Sequence, residues 1–243
     1  MPMELTPLRK KLDLAKTGSG RLQVHEGTLG RRRVVAIVTG MGTKLATDGL
    51  ERLLDQVEVD QVVVVGITGA VENDTPIGSL VDPEVVVDSA TGEEFRPHRL
   101  SEGNASGKMW TTDVLITDLD VIAGLRNSGV VALDMETAAI ARVCERHKIP
   151  WSVFRAISDR ATDGSLDDDV FHMSNQDGTP KPAAIASYFL KHPGKLPAMA
   201  RLAKGARSAA DRAASAAIEA VRQLPGSEDT GSEDTGSGRT GAN

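Results

Sequence analysis

The sequence holds a single cysteine, Cys144, so it has no internal disulfide framework and no zinc site built from paired cysteines. A reducing cytoplasm is therefore the expected compartment. Aromatic residues make up only 3% of the 243 residues, too few for a platform that stacks single-stranded nucleic acid. Basic residues are outnumbered: 28 Lys and Arg face 34 Asp and Glu, a net charge of −6. That balance argues against a general nucleic-acid-binding surface. No apolar run approaches the roughly 18 residues of a membrane span. The opening Met1-Pro2-Met3-Glu4 lacks the charged-then-apolar pattern of a secretory signal. The five histidines, His25, His98, His147, His172 and His192, fall at no metal-binding spacing, so no metal site is expected.

What is present is an ordinary globular composition, 40% hydrophobic and 26% charged, enough for one sizeable core. Near the end, Gly226-Ser227-Glu228-Asp229-Thr230 recurs as Gly231-Ser232-Glu233-Asp234-Thr235, and Gly-rich residues run on to Asn243. Such a segment has nothing to bury. The expectation is one domain over 1–225 and a polar, solvated tail over 226–243.

Apolar runs rich in β-formers alternate with helical patterns. Val34–Val38 reads as a buried strand ending in Thr39-Gly40-Met41-Gly42, and Lys44–Val57 as a helix with Leu45, Leu50, Leu53 and Leu54 on one face. Gln61–Val65 is a second buried strand, ending at Gly66 and Gly69. Leu80–Val87 is a third, with Pro83 marking an edge or bend. Ser89–Lys108 reads as a loop. Val130–Leu133 and Trp151–Ile157 are strands that flank a helix over Glu136–Lys148. Helices over Pro182–Leu190 and Pro197–Gln223 close the pattern. This alternation predicts a single-domain α/β fold, with a mixed, mostly parallel central sheet flanked by helices on both faces. Sites in such folds form at the carboxyl ends of strands. That rule points to Thr39–Gly42, Gly66–Ala70 and Ser158–Asp163.

Each of these places has a plain reading beside a functional one. Gly40-Met41-Gly42 fits any tight strand–helix turn, and it also lets backbone N–H groups approach a ligand. In Leu133-Asp134-Met135-Glu136-Thr137, Asp134 is a capping acid or a site acid, and Glu136 a first-turn acid or a ligand acceptor. In Arg155-Ala156-Ile157-Ser158-Asp159, the Ser-Asp pair forms a turn or places an acid at a strand end. Cys144, inside a helical pattern, reads as core.

Taken together, Thr39–Gly42, Val65-Gly66-Ile67-Thr68-Gly69-Ala70-Val71, Ile77-Gly78-Ser79-Leu80-Val81, Leu133–Ala139 and Phe154–Asp159 resemble the nucleoside phosphorylase superfamily. The branch they are most similar to is the methylthioadenosine/S-adenosylhomocysteine nucleosidases. The run from Asp177 to Ala203 looks more like the hopanoid-associated phosphorylases. The resemblance implies roles. Glu136, from the M-E-x-x-A motif, would hold the ribose hydroxyls, with Met135 packed against the sugar. Asp159, after R-A-I-S, would protonate the purine at N7, beside Ser158. Glu4 would bind the attacking water, with Arg155 close to that carboxylate. Thr68 and Gly69 would line the pocket. Asp163 would help keep the acid protonated, and His172 lies in the following loop. No cofactor is implied. A homodimer or higher homo-oligomer is.

The resemblance also has gaps. Phosphorylases of this superfamily hold phosphate with an arginine and a hydroxyl around the Gly66–Gly69 turn. Here the corresponding positions are Val64 and Ile67, which cannot neutralise a dianion. Thr68 and the Arg31–Arg33 cluster are imperfect substitutes, and the cluster reads as a solvated hairpin. Hydrolysis is therefore favoured over phosphorolysis. A phosphorylase, including one acting on an adenosyl lipid, is the first alternative, and a non-catalytic nucleoside-binding protein the second. The branch's base-stacking aromatic aligns with Leu115, with Trp110 nearby. The family also begins with a buried strand before the segment matching Met1–Glu4. A start upstream of Met1 would supply it.

Overall fold

The computed structural model describes residues 1–18, 22–100, 106–162, 175, 179 and 181–224. The chain opens with helix α1 (Pro2–Lys11), where Pro2 suits the first turn, Glu4 the amino end and Arg9, Lys10 and Lys11 the carboxyl end. Strands β1 (Ala15–Lys16), β2 (Val24–Leu29) and β3 (Arg32–Ile37) form a three-stranded antiparallel sheet. The Val34–Val38 run was expected to be a buried strand. It is instead half-buried, because the turn at Gly30 folds it back on β2 as a hairpin arm.

The remaining strands are β4 (Val62–Ala70), β5 (Leu80–Val81), β6 (Val85–Asp88), β7 (Glu94–Phe95), β8 (Lys108–Thr111), β9 (Val130–Asp134) and β10 (Trp151–Arg160). They form one sheet in the order β5-β10-β4-β9-β8-β6-β7. The β10–β4, β6–β8 and β8–β9 ladders are parallel. The short β10–β5, β4–β9 and β6–β7 ladders are antiparallel. The mixed sheet thus agrees with the expectation. The single run Leu80–Val87 is two strands, broken at Asp82-Pro83 where proline removes a ladder donor. The expected loop Ser89–Lys108 contains β7 and leads directly into β8.

Helices α2 (Thr43–Leu54), α3 (Leu119–Asn127), α4 (Thr137–His147), α5 (Pro182–Lys191) and α6 (Leu196–Gln223) complete the described fold. On one face of β4 and β10, Val62, Val64, Val153 and Ile157 pack with Leu50 and Leu53 of α2 and with Ala138 and Ala141 of α4. Cys144 lies in the same core, and burial pushes its thiol up to about 12. On the opposite face, Val65, Ile67 and Ala156 meet Ala209 and Ala213 of α6. Small side chains at helical spacing let that helix lie close to the sheet. Trp110 and Ile116 pack in a satellite cluster with Ile122 and Leu125 of α3.

Two irregularities shape the strand ends. The register between β4 and β10 shifts between Ile157 and Asp159, so Ser158 is the extra residue of a bulge. A bulge re-aims the side chain that follows it. The two edges of β4 also differ. One edge pairs with β10 from Val62 to Ala70. The other meets β9 only at Gly69 and Ala70. The Val62 N–H donates to Pro150 in the first ladder, so alternation turns the backbone groups of Val63, Val65 and Ile67 to the second edge. The tail over 226–243 lies outside the described residues.

Candidate active site

The carboxyl ends of β4, β9 and β10 meet the first turn of α1, and the meeting point is Arg155. Its side chain is only 5% exposed. Nη2 donates to Asp134 Oδ2 at 2.6 Å and to Glu136 Oε2 at 3.1 Å. Nη1 donates to the Ile67 carbonyl at 3.0 Å and lies 3.6 Å from Glu4 Oε1. The same Glu4 oxygen accepts from the Ile67 N–H at 2.9 Å. The Ile67 backbone groups on the less-paired edge of β4 are therefore satisfied by two side chains in place of a strand. The other Glu4 oxygen faces the amino group of Met1.

Asp134 is the fixed post of this cluster. It accepts from Thr111 Oγ1 at 2.6 Å and from the Thr137 N–H at 2.9 Å as well as from Arg155. The N-cap of this helix is Glu136; Asp134 lies two residues before it, and its carboxylate both accepts the first-turn N–H of Thr137 and anchors the guanidinium. Glu136 Oε1 accepts from the Gly42 N–H at 3.2 Å. Gly42 sits at φ +95, a conformation that favours glycine, and its neighbour Thr43 donates to Asp113 at 2.7 Å. The Thr39–Gly42 turn is thereby tied to the carboxylate cluster.

On the far side of the β4 end, Ser158 donates its hydroxyl to Asp159 Oδ1 and approaches the Thr68 carbonyl at 3.3 Å. Asp159 is half-buried, and a Cβ on Gly69 would come within 3.4 Å of its Oδ2. Thr68 is buried and donates its hydroxyl to the Leu133 carbonyl at 2.6 Å. Its proton is therefore committed to the protein. Met135 is half-buried beside Glu136.

Glu4, Glu136, Arg155, Met135, Thr68, Gly69, Ser158 and Asp159 thus gather at the ends of adjacent strands. Leu115 is half-buried, and no described contact joins it to this group. Trp110 belongs to the cluster under α3. Asp163 and His172 lie outside the described residues. Arg33 of the basic hairpin pairs with Glu26 at 2.7 Å, and Arg32 donates to the Leu224 carbonyl at 3.0 Å. Among the described residues no three His, Cys, Asp or Glu side chains are arranged to hold a metal ion.

Sequence reasoning missed two contributors. Gly66 leaves the space in which Glu4 and Arg155 meet, because a Cβ there would overlap Glu4 Oε1 and lie 2.5 Å from Arg155 Nη1. Asp134 was visible as a capping or site acid, but not as the anchor of Arg155. Nothing local in the sequence signals either role, since both depend on contacts with distant segments.

Three carboxylates surround one guanidinium, and the Met1 amino group pairs with one of them, Glu4. Burial pushes the Glu136 carboxyl above its ordinary value, Arg155 pulls it back, and Asp134 and Glu4 push it further up. Burial works against the Arg155 charge, but Asp134, Glu136 and Glu4 hold its pKa above the ordinary value. A raised carboxyl pKa means that the folded protein binds this proton more tightly than the unfolded chain. The carboxylate therefore costs stability once the pH exceeds the unfolded value. Glu136→Gln is expected to raise the melting temperature at neutral pH by about 2–4 °C. The gain should vanish as the pH falls toward 4.5, where the parent glutamate is neutral too. Melting curves across that range test the sign, and a variant less stable than the parent at pH 7 would refute it.

Comparison with known proteins places this arrangement. The sequence profile of the phosphorylase superfamily matches residues 1–107 and 98–191. A 5′-methylthioadenosine/S-adenosylhomocysteine nucleosidase of Bacillus cereus is 24% identical over 213 residues, covering 72% of this chain and 92% of the relative. The crystal structure of the corresponding nucleosidase from Neisseria meningitidis, in complex with methylthio-immucillin-A, superposes with a TM-score of 0.69 at 21% identity. It covers 92% of this chain and 96% of that one. Futalosine hydrolase of Helicobacter pylori superposes with a TM-score of 0.70 at 16% identity, covering 92% and 95%. The shared fold and the profile match across both halves of the strand-end cluster lead to one conclusion: the chain belongs to the phosphorylase superfamily.

Proposed function

We propose that this protein is a purine nucleosidase that hydrolyses the N-glycosidic bond of a 5′-modified adenosine of the methylthioadenosine/S-adenosylhomocysteine type. The observation that carries this reading is the joining of Glu4 and Glu136 through Arg155, on the strand that also bears Asp159 at its carboxyl end. Asp159 gives its proton to N7 of the purine. The C1′–N9 bond then breaks, its electron pair goes to the base, and the ribosyl ring takes on oxocarbenium character. Glu136 accepts from the 2′- and 3′-hydroxyls, and its negative charge favours the cationic ring. Met135 packs against the sugar. Glu4 takes a proton from the water that bonds to C1′, a contribution of about 10²–10⁴-fold for a general base. The products are free base and the 5′-modified ribose. Thr68, Gly69, Ser158 and Leu115 line the base side in this reading.

Water is favoured over phosphate on charge. Val64 and Ile67 offer no cation near the Gly66–Gly69 stretch of β4, and the Thr68 proton is already donated to Leu133. Arg155 is enclosed by three carboxylates and the Met1 amino group is paired with Glu4, so both nearby cations are already committed and neither is left to hold a phosphate dianion.

The test is release of free base from methylthioadenosine, S-adenosylhomocysteine, adenosine, inosine and futalosine, with and without phosphate. The expected result is release from a 5′-thio substrate without phosphate, at a rate that phosphate leaves unchanged. Release that requires phosphate would overturn hydrolysis. Preference for futalosine or inosine would overturn the adenosine assignment.

A further inference from the structure

The second half of the chain carries a surface that the catalytic reading does not use. From residue 178 to residue 210 the sequence has no aspartate or glutamate, yet it carries Lys181, Lys191, Lys195, Arg201, Lys204 and Arg207. This run belongs to a chain whose net charge is −6, so the rest of the molecule is correspondingly more acidic. The run forms α5, a 3-10 turn over Pro193–Lys195 and the start of α6. Among the described residues, Lys181, Lys191, Lys204 and Arg207 have no ion-pair partner.

The same segment bears exposed apolar side chains. Leu190 is 85% exposed, more than any other large hydrophobic residue described, and Leu196 is 48% exposed. Helix α5 packs chiefly on the turn that follows it. A local knot holds the two together. The buried Tyr188 ring lies 4.9 Å from His192 and edge-on to Phe189 at 5.6 Å, and Lys195 Nζ stands 5.7 Å from the Tyr188 ring. Tyr188 is buried in this knot, while Leu190 and Leu196 stand exposed in the same lysine-bearing segment.

We propose that this segment docks the protein reversibly on a lipid bilayer with anionic headgroups. Basic side chains meet the headgroups, and the two leucines enter the headgroup–acyl boundary, as amphipathic interfacial segments do. A nucleic acid would take the charges but would give Leu190 no apolar partner. No described helix is long and apolar enough to cross a membrane, so the segment lies on the surface. The acidic remainder of the chain is repelled by such a bilayer, which fixes the basic end toward it. The docking stands or falls independently of the catalytic reading.

The test uses the full chain and vesicles of phosphatidylcholine alone or mixed with phosphatidylglycerol. Co-sedimentation is expected with the anionic vesicles only, and it should weaken as salt is added. The combined variant Lys181→Glu, Lys191→Glu and Lys204→Glu is expected to lower partitioning by at least about 100-fold. Leu190→Ser with Leu196→Ser is expected to lower it by about 10-fold while leaving retention on heparin unchanged. Both variants should keep the parent melting temperature and the parent turnover of soluble nucleosides, because none of these residues lies in the strand-end site. No binding to anionic vesicles, equal binding to neutral ones, or vesicle binding unaffected by the leucine changes would each overturn the proposal.

Discussion

Gly66→Ala is expected to lower kcat/KM by at least about 100-fold, with a much smaller effect on the fold. Gly66 sits within β4, opposite Arg155 in the parallel ladder. A methyl group there would overlap Glu4 Oε1 and approach Arg155 Nη1 to 2.5 Å. Neither partner has a free direction in which to yield. Arg155 is held by Asp134 and by the Ile67 carbonyl, and Glu4 by the Ile67 N–H. Both must shift, and with them go the carboxylate proposed to bind the attacking water and one support of Glu136. The check is kcat/KM measured beside the melting temperature. A variant with parent kcat/KM would show that the Glu4–Arg155 contact is not needed for turnover.

Asp159→Asn is expected to lower kcat on purine nucleosides by about 10²–10⁴-fold, with KM close to the parent value. The amide keeps a donor for N7 but has no proton to transfer, so binding survives and leaving-group activation does not. The bulge at Ser158 and the hydroxyl donated to Oδ1 set the direction of this side chain in both proteins. A riboside whose leaving group departs without protonation, such as a nitrophenyl riboside, should be nearly insensitive to the change. That contrast separates loss of an acid from loss of shape. Near-parent turnover on purines, or an equal loss on both substrates, would reject Asp159 as the acid.

The legible parts of the sequence are those whose pattern is local. The helix from Thr137 to His147 and the strand from Trp151 announce themselves by periodicity and by β-branched residues, and both stand close to the expected limits. Gly66 and Gly69 misled, because glycine in a strand reads as its end. Here β4 continues to Ala70, and the glycines admit Glu4, Arg155 and Asp159. Val34–Val38 misled in the opposite way. An apolar run of that length does not say whether its neighbour is a central strand or a hairpin arm. Helices α1 and α3 gave no early signal: α1 contains Pro7, and α3 covers only nine residues. In the site, the resemblance to the nucleoside phosphorylase superfamily brought Glu4, Glu136, Arg155 and Asp159 into one reading. The support from Gly42, Gly66 and Asp134 depends on tertiary contacts that spacing does not encode.

The Arg155 cluster has a consequence for how the chain becomes active. Glu4 reaches the Ile67 amide across 63 positions of sequence, and Arg155 reaches the Ile67 carbonyl across 88. Bringing such distant segments together costs loop-closure entropy before any of these bonds forms, and topologies of this kind fold slowly. Among the described residues, no single hairpin or helix pair contains a working fragment of the site. The ladder between β4 and β10 must settle into its bulged register before the guanidinium has carboxylates to join. Regain of catalysis during refolding would therefore trail regain of helix signal, and enzymatic activity would report the completion of the whole sheet.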